Sequence, residues 1–298
     1  MALRRLQHEP VAYIVGQKEF FGLTLQIDKR VLDPRDDTEV LVEWALACAT
    51  SLAAPRFLDL GTGSGAIALA LQSQRPEAKV TAIDASPEAL SLASQNATKM
   101  GLAVSFLESN WLSQVRGEFD VIVSNPPYIE ANDPHLAALH HEPLQALVSG
   151  TDGLQDIRNI VENAQRHLAQ GGWLLIEHGW QQAEQVRSLL QAAGYRHVQS
   201  ERDLAGIERC SGGQTQLKFS HLLSKPCLLQ GLRHLFQIAL HDEVQLVQGE
   251  IDTVVGQPAL RKVVGSNSVR PVATANQAFA QCRVFGSTFA AFFFLNSS

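Results

Sequence analysis

The chain has 298 residues, of which 45% are hydrophobic and 18% charged, proportions typical of a soluble globular protein. Its formal net charge of -6 argues against a protein that holds nucleic acid mainly through its phosphates, because such surfaces are basic. The four cysteines form no Cys-x-x-Cys pair and the first ten residues lack the apolar run of a signal peptide, which argues against a zinc site, a disulfide framework and secretion, and predicts a cytoplasmic protein.

The first 38 residues predict a β-hairpin that leads into the main domain. Two short extended stretches, Glu19–Phe21 and Thr24–Ile27, are separated by Gly22-Leu23, a pattern typical of two strands around a tight turn. A further turn is predicted at Pro34, because proline fixes φ and cannot donate a backbone hydrogen bond. We therefore expect residues 1–38 to be a linker, the remnant of a larger N-terminal region.

Residues 39–214 alternate apolar runs with segments of helical period, which indicates a doubly wound α/β fold. The predicted strands are Phe57–Leu60, Val80–Ile83, Val104–Leu107, Val121–Val123, Trp173–Ile176 and His197–Ser200. The predicted helices are Ala66–Gln74, Pro87–Met100, Asp156–Ala169 and Gln181–Ala193. Glycine or proline follows each helix, and the pair Gly171-Gly172 predicts the end of the third one.

The pattern weakens from Thr215 to the end of the chain. Residues 215–298 have few charges and weak periodicity, so we assign them no fold and expect a poorly ordered tail that the preceding domain does not need. The apolar cluster Phe289–Leu295 is too short to span a bilayer. No membrane segment is therefore expected.

A glycine-rich loop follows the first strand of the main domain and precedes its first helix. Residues 58–65 read LDLGTGSG, with glycine where the chain turns sharply and a ligand must approach the backbone. Asp84 ends the next strand, where a carboxylate can accept both hydroxyls of a ribose. The loop alone fits a structural turn equally well, but loop, strand and acid together predict a nucleoside site. Its predicted residues are Gly61, Thr62, Gly63, Ser64, Gly65 and Asp84.

The spacing of the glycines bears on which nucleoside binds. The dinucleotide fingerprint is G-x-G-x-x-G, whereas this loop is G-x-G-x-G and has alanine at position 66. The difference favours S-adenosylmethionine, whose amino-acid end needs no cradle for a pyrophosphate. It does not by itself exclude a dinucleotide.

The tetrapeptide Asn125-Pro126-Pro127-Tyr128 leaves the strand predicted at residues 119–124, and ligands of open α/β sheets bind at such carboxyl edges. Two prolines remove two N–H donors, so the backbone there can only accept hydrogen bonds. The amide oxygen of Asn125 and the carbonyl of Pro126 can accept both hydrogens of a planar –NH₂ group, which would localise its lone pair. Tyr128 can pack against the plane of that group. Taken alone, the tetrapeptide fits a rigid turn equally well. Because it follows the glycine-rich loop and Asp84 in the same predicted sheet, it predicts a site of methyl transfer.

Several polar residues near these motifs have simpler interpretations. Arg35 and Glu39 flank the start of a helix, where we predict a solvated cap formed by Asp36 or Asp37. The pair His140-His141 is not predicted to bind a metal, because adjacent side chains point in different directions and no further ligand completes a site.

Glu177 and His178 end a predicted strand and could be mistaken for an acid–base pair. Methyl transfer to an amide needs little general-base help, because the proton can leave after the nitrogen has become cationic. We therefore predict a structural role for both residues.

Taken together, the motifs resemble those of the release-factor glutamine methyltransferases, from about Glu9 to about Gln214. The matching motifs are residues 59–65, Asp84, Asn110-Trp111, Asn125–Tyr128, Glu142-Pro143-Leu144, Ala146-Leu147 and Glu177-His178-Gly179. The resemblance implies the class I S-adenosylmethionine-dependent fold, with a seven-stranded, mostly parallel sheet after a hairpin linker. It also implies transfer of a methyl group to the glutamine side-chain nitrogen in the Gly-Gly-Gln motif of peptide chain release factors.

The resemblance further implies roles for individual residues. Residues matching Gly61 to Gly65, Asp84, Trp111 and Asn125 bind the cofactor, and Asn125 to Tyr128 hold the target glutamine, with Asn125, Pro126 and Tyr128 as the catalytic group. Trp111 would cover the adenine, although a partly buried core tryptophan is the competing interpretation. The implied site contains no metal.

The chain departs from the family pattern in three places, of which one is the segment after Gln214, where the remaining residues match nothing in the family. The linker motif usually reads Pro-Arg-Pro-Asp-Thr-Glu, whereas here it is Pro34-Arg35-Asp36-Asp37-Thr38-Glu39. Most of the family's N-terminal helical domain is expected to be missing, which predicts weaker release-factor binding.

Two alternatives remain open at this point. The first is an adenine-N6 methyltransferase acting on DNA or RNA, because an aromatic –NH₂ suits the same acceptors; it would need a pocket for a flipped base and a basic approach surface. The second is an inactive, truncated binding protein.

Overall fold

The computed structural model describes residues 2–216. Two short helices that the sequence pattern did not predict open the chain, α1 (Ala2–Leu6) and α2 (Val11–Val15). The predicted hairpin follows as β1 (Gln17–Phe20) and β2 (Leu23–Gln26), paired antiparallel. Phe21 and Gly22 both have positive φ, 49° and 74°, as a two-residue turn between twisted strands requires.

The linker ends in a 3-10 helix, Asp36–Thr38, that leads into α3 (Glu39–Cys48). Neither Asp36 nor Asp37 caps these helices with its side chain, so the prediction of a solvated cap is wrong. Instead, a carboxylate oxygen of Glu39 accepts the backbone N–H of Phe21 at 2.8 Å. This hydrogen bond fixes the start of α3 to the hairpin. The linker thereby packs beside the carboxyl edge of the sheet.

The main sheet has seven strands in the order β5-β4-β3-β6-β7-β9-β8. They are β3 (Arg56–Leu60), β4 (Lys79–Asp84), β5 (Val104–Glu108), β6 (Phe119–Ser124), β7 (Leu168–Glu177), β8 (Arg196–Arg202) and β9 (Glu208–Gln214). The pairs from β5 to β7 are parallel, and β9 runs antiparallel to both of its neighbours. The predicted doubly wound, mostly parallel fold is confirmed.

Four further helices cover the two faces of this sheet. They are α4 (Ala66–Gln74), α5 (Pro87–Met100), α6 (Gln155–Ala164) and α7 (Ala183–Ala192). The bounds of α4 and α5 match the prediction because their end signals are local. In α5, the Ser86 hydroxyl accepts the N–H of Ala89, Pro87 occupies the first turn, and Gly101 follows in the left-handed conformation with φ 67°.

The prediction for the third helix is wrong at its C-terminal end. We expected a helix over Asp156–Ala169 closed by Gly171-Gly172, but α6 ends at Ala164 and both glycines lie inside β7. A Cβ on Gly172 would lie 2.9 Å from the carbonyl oxygen of Ala169 and 3.0 Å from that of Asp120. Glycine is needed here because two backbones approach closely within an irregular strand pair.

The sequence pattern also missed β9. Its residues Gly212 and Gly213 have low strand propensity, yet Gly212 packs so closely that a Cβ would lie 2.7 Å from the carbonyl oxygen of Leu174. Thr215 continues the contact, donating its backbone N–H to the carbonyl of Gly172 at 2.9 Å. The catalytic domain was predicted to end at residue 214, and the structure describes two residues beyond that point. The rest of the predicted tail lies outside the described part of the chain.

The strand order reverses between β3 and β6, which are neighbours although two strands separate them in sequence. Crevices that bind ligands in open α/β sheets form at such a switch point, outside the carboxyl ends of the strands. Gly61 follows β3 and Asn125 follows β6, so both predicted motifs lie at this position. Among residues 2–216, no helix is both long and apolar enough to cross a bilayer.

Candidate active site

A cavity of about 570 Å³ opens at the switch point, within the usual range for small-molecule sites. It brings together most of the residues predicted for the cofactor and one side of the tetrapeptide. The predicted residues in its lining are Gly61, Thr62, Gly63, Ser64, Asp84, Trp111, Asn125 and Pro127. Three of the predicted residues are next to this lining but not part of it: Gly65, Pro126 and Tyr128.

Asp84 organises the glycine loop. Its carboxylate accepts the N–H of Gly63 at 2.9 Å and the N–H of Ser86 at 2.9 Å. Gly61, Gly63 and Gly65 all have positive φ, at 72°, 54° and 86°, which a residue with a Cβ rarely adopts. Burial raises the pKa of Asp84, and the backbone N–H groups oppose that effect. The carboxylate has about four acceptor sites, so two remain for the hydroxyls of a ribose.

Beneath the loop, Asp59 is fully buried; it belongs to the matching motif of residues 59–65, but no role of its own was predicted for it. Its carboxylate accepts the hydroxyl of Thr62 at 2.7 Å, and burial raises its pKa to about 7. Thr62 in turn donates its backbone N–H to the carbonyl of Ile83 at 2.8 Å. Asp59 therefore holds the loop from below. The signal that could have found it is a carboxylate inside an otherwise apolar strand.

Asn96 connects the loop to the hairpin linker. The side-chain amide donates to the carbonyls of Ser64 at 3.0 Å and Gln26 at 3.1 Å, and its oxygen accepts the N–H of Gln26 at 2.7 Å. Asn96 is fully buried in α5. A buried asparagine with all of these partners fixes the position of β2 against the cofactor loop. No sequence motif marked it.

Trp111 lies against the backbone of Gly61, since a Cβ on that glycine would come within 3.5 Å of the indole ring. Trp111 Nε1 donates to a carboxylate oxygen of Asp156 at 2.9 Å. Its φ of 47° is unusual for a bulky residue, and the hydroxyl of Ser109 donates to its carbonyl at 2.6 Å. The ring is thus both anchored and exposed to the cavity, which supports the adenine-covering role over that of a simple core tryptophan.

Asn125 presents an unpaired acceptor at the edge of the cavity. Its Nδ2 donates to the hydroxyl of Thr38 at 3.2 Å, while its Oδ1 is buried and has no hydrogen-bond partner within residues 2–216. Buried acceptors are normally paired. An acceptor left unpaired here is available for a donor that arrives with the substrate.

Tyr128 and Pro126 support the tetrapeptide from its far side. Pro126 is buried, the Tyr128 hydroxyl donates to Glu177 over 3.4 Å, and the Tyr128 carbonyl accepts from the side chain of Gln182 at 3.1 Å. A Cβ on Gly153 would lie only 2.3 Å from that carbonyl. The turn is therefore held rigidly by packing as well as by its prolines.

The residues present fit S-adenosylmethionine. Its ribose, adenine and amino-acid end would face, respectively, the carboxylate of Asp84, the ring of Trp111 and the loop from Gly61 to Ser64. The unpaired Oδ1 of Asn125 is a feature that a structural turn does not need, and the three positive-φ glycines leave the loop backbone open to a ligand. Among the described residues, no group of three or more His, Cys, Asp or Glu side chains forms a metal site; the ring centroids of His140 and His141 are 4.1 Å apart, with the ring planes tilted by 40°.

Comparison with known proteins decides between the alternatives. Residues 36–149 match the family model described as "Methyltransferase small domain". The chain is 48% identical over 215 residues to the release factor glutamine methyltransferase of Salmonella typhimurium, covering 71% of this chain and 77% of that protein. The chain belongs to the release factor glutamine methyltransferase family.

A second relative, the release factor glutamine methyltransferase of Escherichia coli K12, is 46% identical and covers 71% of this chain and 77% of its own length. The crystal structure of a methyltransferase from Pyrococcus furiosus has a TM-score of 0.51 at 20% identity and covers 72% of this chain and 98% of that one. That likeness supports the fold alone. The predicted family, the methyltransferase activity and the use of S-adenosylmethionine are confirmed, and the adenine-N6 and inactive alternatives are disfavoured.

An ion pair near the cavity joins two residues that are too far apart in sequence for the contact to be predicted. Arg35, from the linker motif, pairs with Glu142 at 2.6 Å and with Asp33 at 3.4 Å. The side chain of Glu142 is only 2% exposed and also accepts the N–H of Asp33 at 3.2 Å. Pro143, the next residue, lines the cavity. The pair thus fixes the loop after the tetrapeptide to the linker, across 107 residues of sequence.

Arg35→Ala should lower the free energy of unfolding by about 1–3 kcal/mol, because it leaves the buried Glu142 carboxylate without its cation. Arg158→Ala provides a matched control, since it breaks the ion pair with Asp152 in which both side chains are more than a third exposed. Such a pair contributes less than about 1 kcal/mol. Urea unfolding of the two variants should show the larger loss for Arg35→Ala, and equal losses would contradict the assignment.

Proposed function

We propose that this chain transfers a methyl group from S-adenosylmethionine to the side-chain nitrogen of the glutamine in the Gly-Gly-Gln motif of peptide chain release factors. The observation that supports the site assignment most strongly is the unpaired, buried Oδ1 of Asn125 beside the cavity. An amide –NH₂ is one donor that suits such an acceptor. The printed names of the relatives supply the substrate class.

The cofactor, when bound, supplies an electrophilic methyl group on a sulfonium. The residues of this chain bind and orient. Asn125 Oδ1 accepts one hydrogen of the glutamine amide, which helps to localise the lone pair on nitrogen; the carbonyl expected to accept the other hydrogen belongs to Pro126, which lies outside the cavity lining. Asp84 and Trp111 would hold the cofactor in the cavity that Asn125 also lines. Holding the two reactants in line supplies most of the acceleration.

Charge favours a peptide over a nucleic acid as the acceptor. The chain has a net charge of -6, and the segment after the tetrapeptide, Ile129–Pro134, contains Glu130 and Asp133 and no basic residue. Phosphates would be repelled there, whereas a neutral glycine-rich loop would not. We therefore expect no direct binding of nucleic acid. The cytoplasmic location stays a prediction of the sequence.

Tritiated S-adenosylmethionine tests the proposal with three acceptors at equal concentration. They are a purified release factor, the same factor with Gln of its Gly-Gly-Gln motif replaced by Ala, and adenine-containing DNA or RNA of similar mass. Label should enter the unmodified release factor alone. Equal label in the Ala variant would move the acceptor to another residue, and label in nucleic acid would reject a protein substrate.

We further propose that the catalytic domain predicted over residues 39–214, with its hairpin linker, is independent of the C-terminal tail. Thr215 and Gln216 still bond to the sheet region, through Gly172 and Gly194, so the truncation should follow Gln216. A chain ending there should keep the melting temperature and the cofactor affinity of the full chain, measured by calorimetry. A large loss of either would show that residues 217–298 complete the domain.

A further inference from the structure

An exposed tryptophan lies in the loop that follows β7. Trp180 is 64% exposed, and within residues 2–216 it is the only aromatic residue among the exposed large hydrophobic ones. Isolated exposed apolar side chains are common on protein surfaces, so the position of this ring decides what it can do. An indole ring buries a large apolar area when a partner covers it.

The turn that carries Trp180 is fixed to the tetrapeptide by hydrogen bonds. The Gly179 carbonyl accepts the N–H of Gln182 at 2.9 Å, and the Gly179 N–H donates to the side-chain oxygen of Gln182 at 2.8 Å. Gln182 Nε2 then donates to the Tyr128 carbonyl at 3.1 Å. Gly153 leaves room for this contact, since a Cβ there would lie 2.8 Å from Gln182 Nε2. Two residues of chain span at most about 7 Å, so Trp180 is held near the end of the tetrapeptide.

A second exposed apolar residue is fixed to the same end of the tetrapeptide. Leu144 is 63% exposed and lies between Pro143 and Gln145, which both line the cavity. Its carbonyl accepts the N–H of Leu147 at 3.1 Å, and the carbonyl of Leu147 accepts the N–H of Ile129 at 2.9 Å. Ile129 directly follows the tetrapeptide. Each of the two segments bonded to the end of the tetrapeptide therefore presents one exposed apolar side chain.

Charge in this region suits a neutral polypeptide better than a phosphate backbone. Residues 126–134 and 177–184 contain no lysine or arginine. Arg209 in β9 is paired with Asp37 at 3.4 Å and with Asp203 at 3.0 Å. A tryptophan can also stack on an unpaired base, but proteins that bind single strands in this way add a positively charged groove along the backbone.

We propose that Trp180 and Leu144 form an apolar docking surface for the release-factor residues that flank the methyl-accepting glutamine. The inference rests on the proposed function, because it requires that this glutamine enters the cavity beside Asn125. A Gly-Gly-Gln segment spans at most about 11 Å, so the residues around it must lie on the surface near the tetrapeptide. Neither Trp180 nor Leu144 lines the cavity. Both therefore add binding energy for the protein substrate and none for the cofactor.

The first test measures methyl transfer by the full chain, with release factor as the varied substrate and S-adenosylmethionine at saturation. Trp180→Ala should raise the KM for release factor at least about tenfold, because tryptophan is enriched among the residues that dominate interfaces. The kcat should stay within about twofold, since the lost contact is equal in the ground state and the transition state. Trp180→Phe should give an intermediate KM. Leu144→Ala should raise KM by a smaller factor than Trp180→Ala.

Leu52→Ala is the matched control. Leu52 is 37% exposed and precedes β3, so it lies toward the amino edge of the sheet, away from the cavity. Its removal should leave KM and kcat at the wild-type values. Equal increases of KM in Leu52→Ala and Trp180→Ala would show a general effect of removing exposed apolar groups, and would overturn the docking role.

Binding without turnover provides a second measurement. Titration calorimetry of release factor into the full chain should show a Kd raised by the same factor in Trp180→Ala, while the affinity for S-adenosylmethionine stays within about twofold of wild type. A short single-stranded RNA serves as the competing ligand. Loss of RNA binding in Trp180→Ala, with release-factor binding unchanged, would overturn the inference in favour of a nucleic-acid surface.

The outcomes separate the inference from the proposed function. Methylation of release factor by wild type, with the same KM for Trp180→Ala, would overturn the docking surface and leave the function intact. A lowered kcat or cofactor affinity with an unchanged KM would overturn it as well, because Trp180 would then act on the cavity. No methylation of release factor by wild type would reject the function, and the inference with it.

Discussion

Asn125→Ala should lower kcat for methyl transfer by about 10²–10³, the loss seen when one oxyanion-hole donor is removed from an enzyme. The variant removes the only side-chain acceptor of the tetrapeptide that lies at the cavity edge, so the glutamine amide loses its orientation. The bond to Thr38 is lost too. Because family resemblance also gives Asn125 a cofactor contact, the rate should be measured with S-adenosylmethionine at saturation.

Asn163→Ala is the matched control for that variant. Asn163 lies in α6, and its side chain donates only to the backbone and side chain of Asn159. Its removal should leave kcat at the wild-type value. A folded Asn125→Ala enzyme with wild-type turnover would remove Asn125 from the mechanism, and equal losses in both variants would indicate a general effect on stability.

Asp84→Ala should weaken cofactor binding by at least about tenfold. Each hydrogen bond to a charged carboxylate contributes about 1.5–3 kcal/mol, and about 1.4 kcal/mol corresponds to tenfold in affinity. The carboxylate also fixes Gly63 and Ser86, so its loss loosens the loop in addition to removing the partners of the ribose. Titration calorimetry with S-adenosylmethionine measures the change directly.

Two further variants test whether the loss of affinity depends on the charge of Asp84 and on its place at the cavity. Asp84→Asn keeps the shape but loses the charge, and should fall between wild type and Asp84→Ala. Asp120→Asn changes another partly buried aspartate as a control. Asp120, near the start of β6, pairs with Arg56 at the start of β3, so it lies at the edge of the sheet opposite to the cavity. It should leave cofactor affinity unchanged. Unchanged affinity in Asp84→Ala would show that this acid does not contact the cofactor.

Local signals made much of this fold predictable. The bounds of α5 follow from Ser86, Pro87 and Gly101, which act within a few residues of the helix ends. The glycine loop and Asp84 could be placed together because parallel strands end at the same edge of a sheet. Each of these inferences depends on neighbours in sequence or on one general rule of α/β topology.

The errors arose where distant segments meet. Gly171 and Gly172 have the sequence signature of a helix end, but the chain uses glycine there because another backbone lies within 3 Å of a would-be Cβ on Gly172. The ion pair of Arg35 was not predicted because its partner Glu142 lies 107 residues away in sequence. Thr38 likewise accepts a hydrogen bond from Asn125 at 3.2 Å, across 87 residues of sequence.

The location of the transferred methyl group tests the central claim most directly. The full chain is incubated with labelled S-adenosylmethionine and an equal mixture of release factor and adenine-containing nucleic acid, and both products are digested and sequenced by mass spectrometry. We expect one added methyl on the glutamine of the Gly-Gly-Gln peptide. The chain's own Gly212-Gly213-Gln214 should stay unmodified, since it lies in β9 and the Gln214 amide donates to Gly171 at 2.7 Å. A methyl group on adenine, with none on that glutamine at high release-factor concentration, would contradict the account.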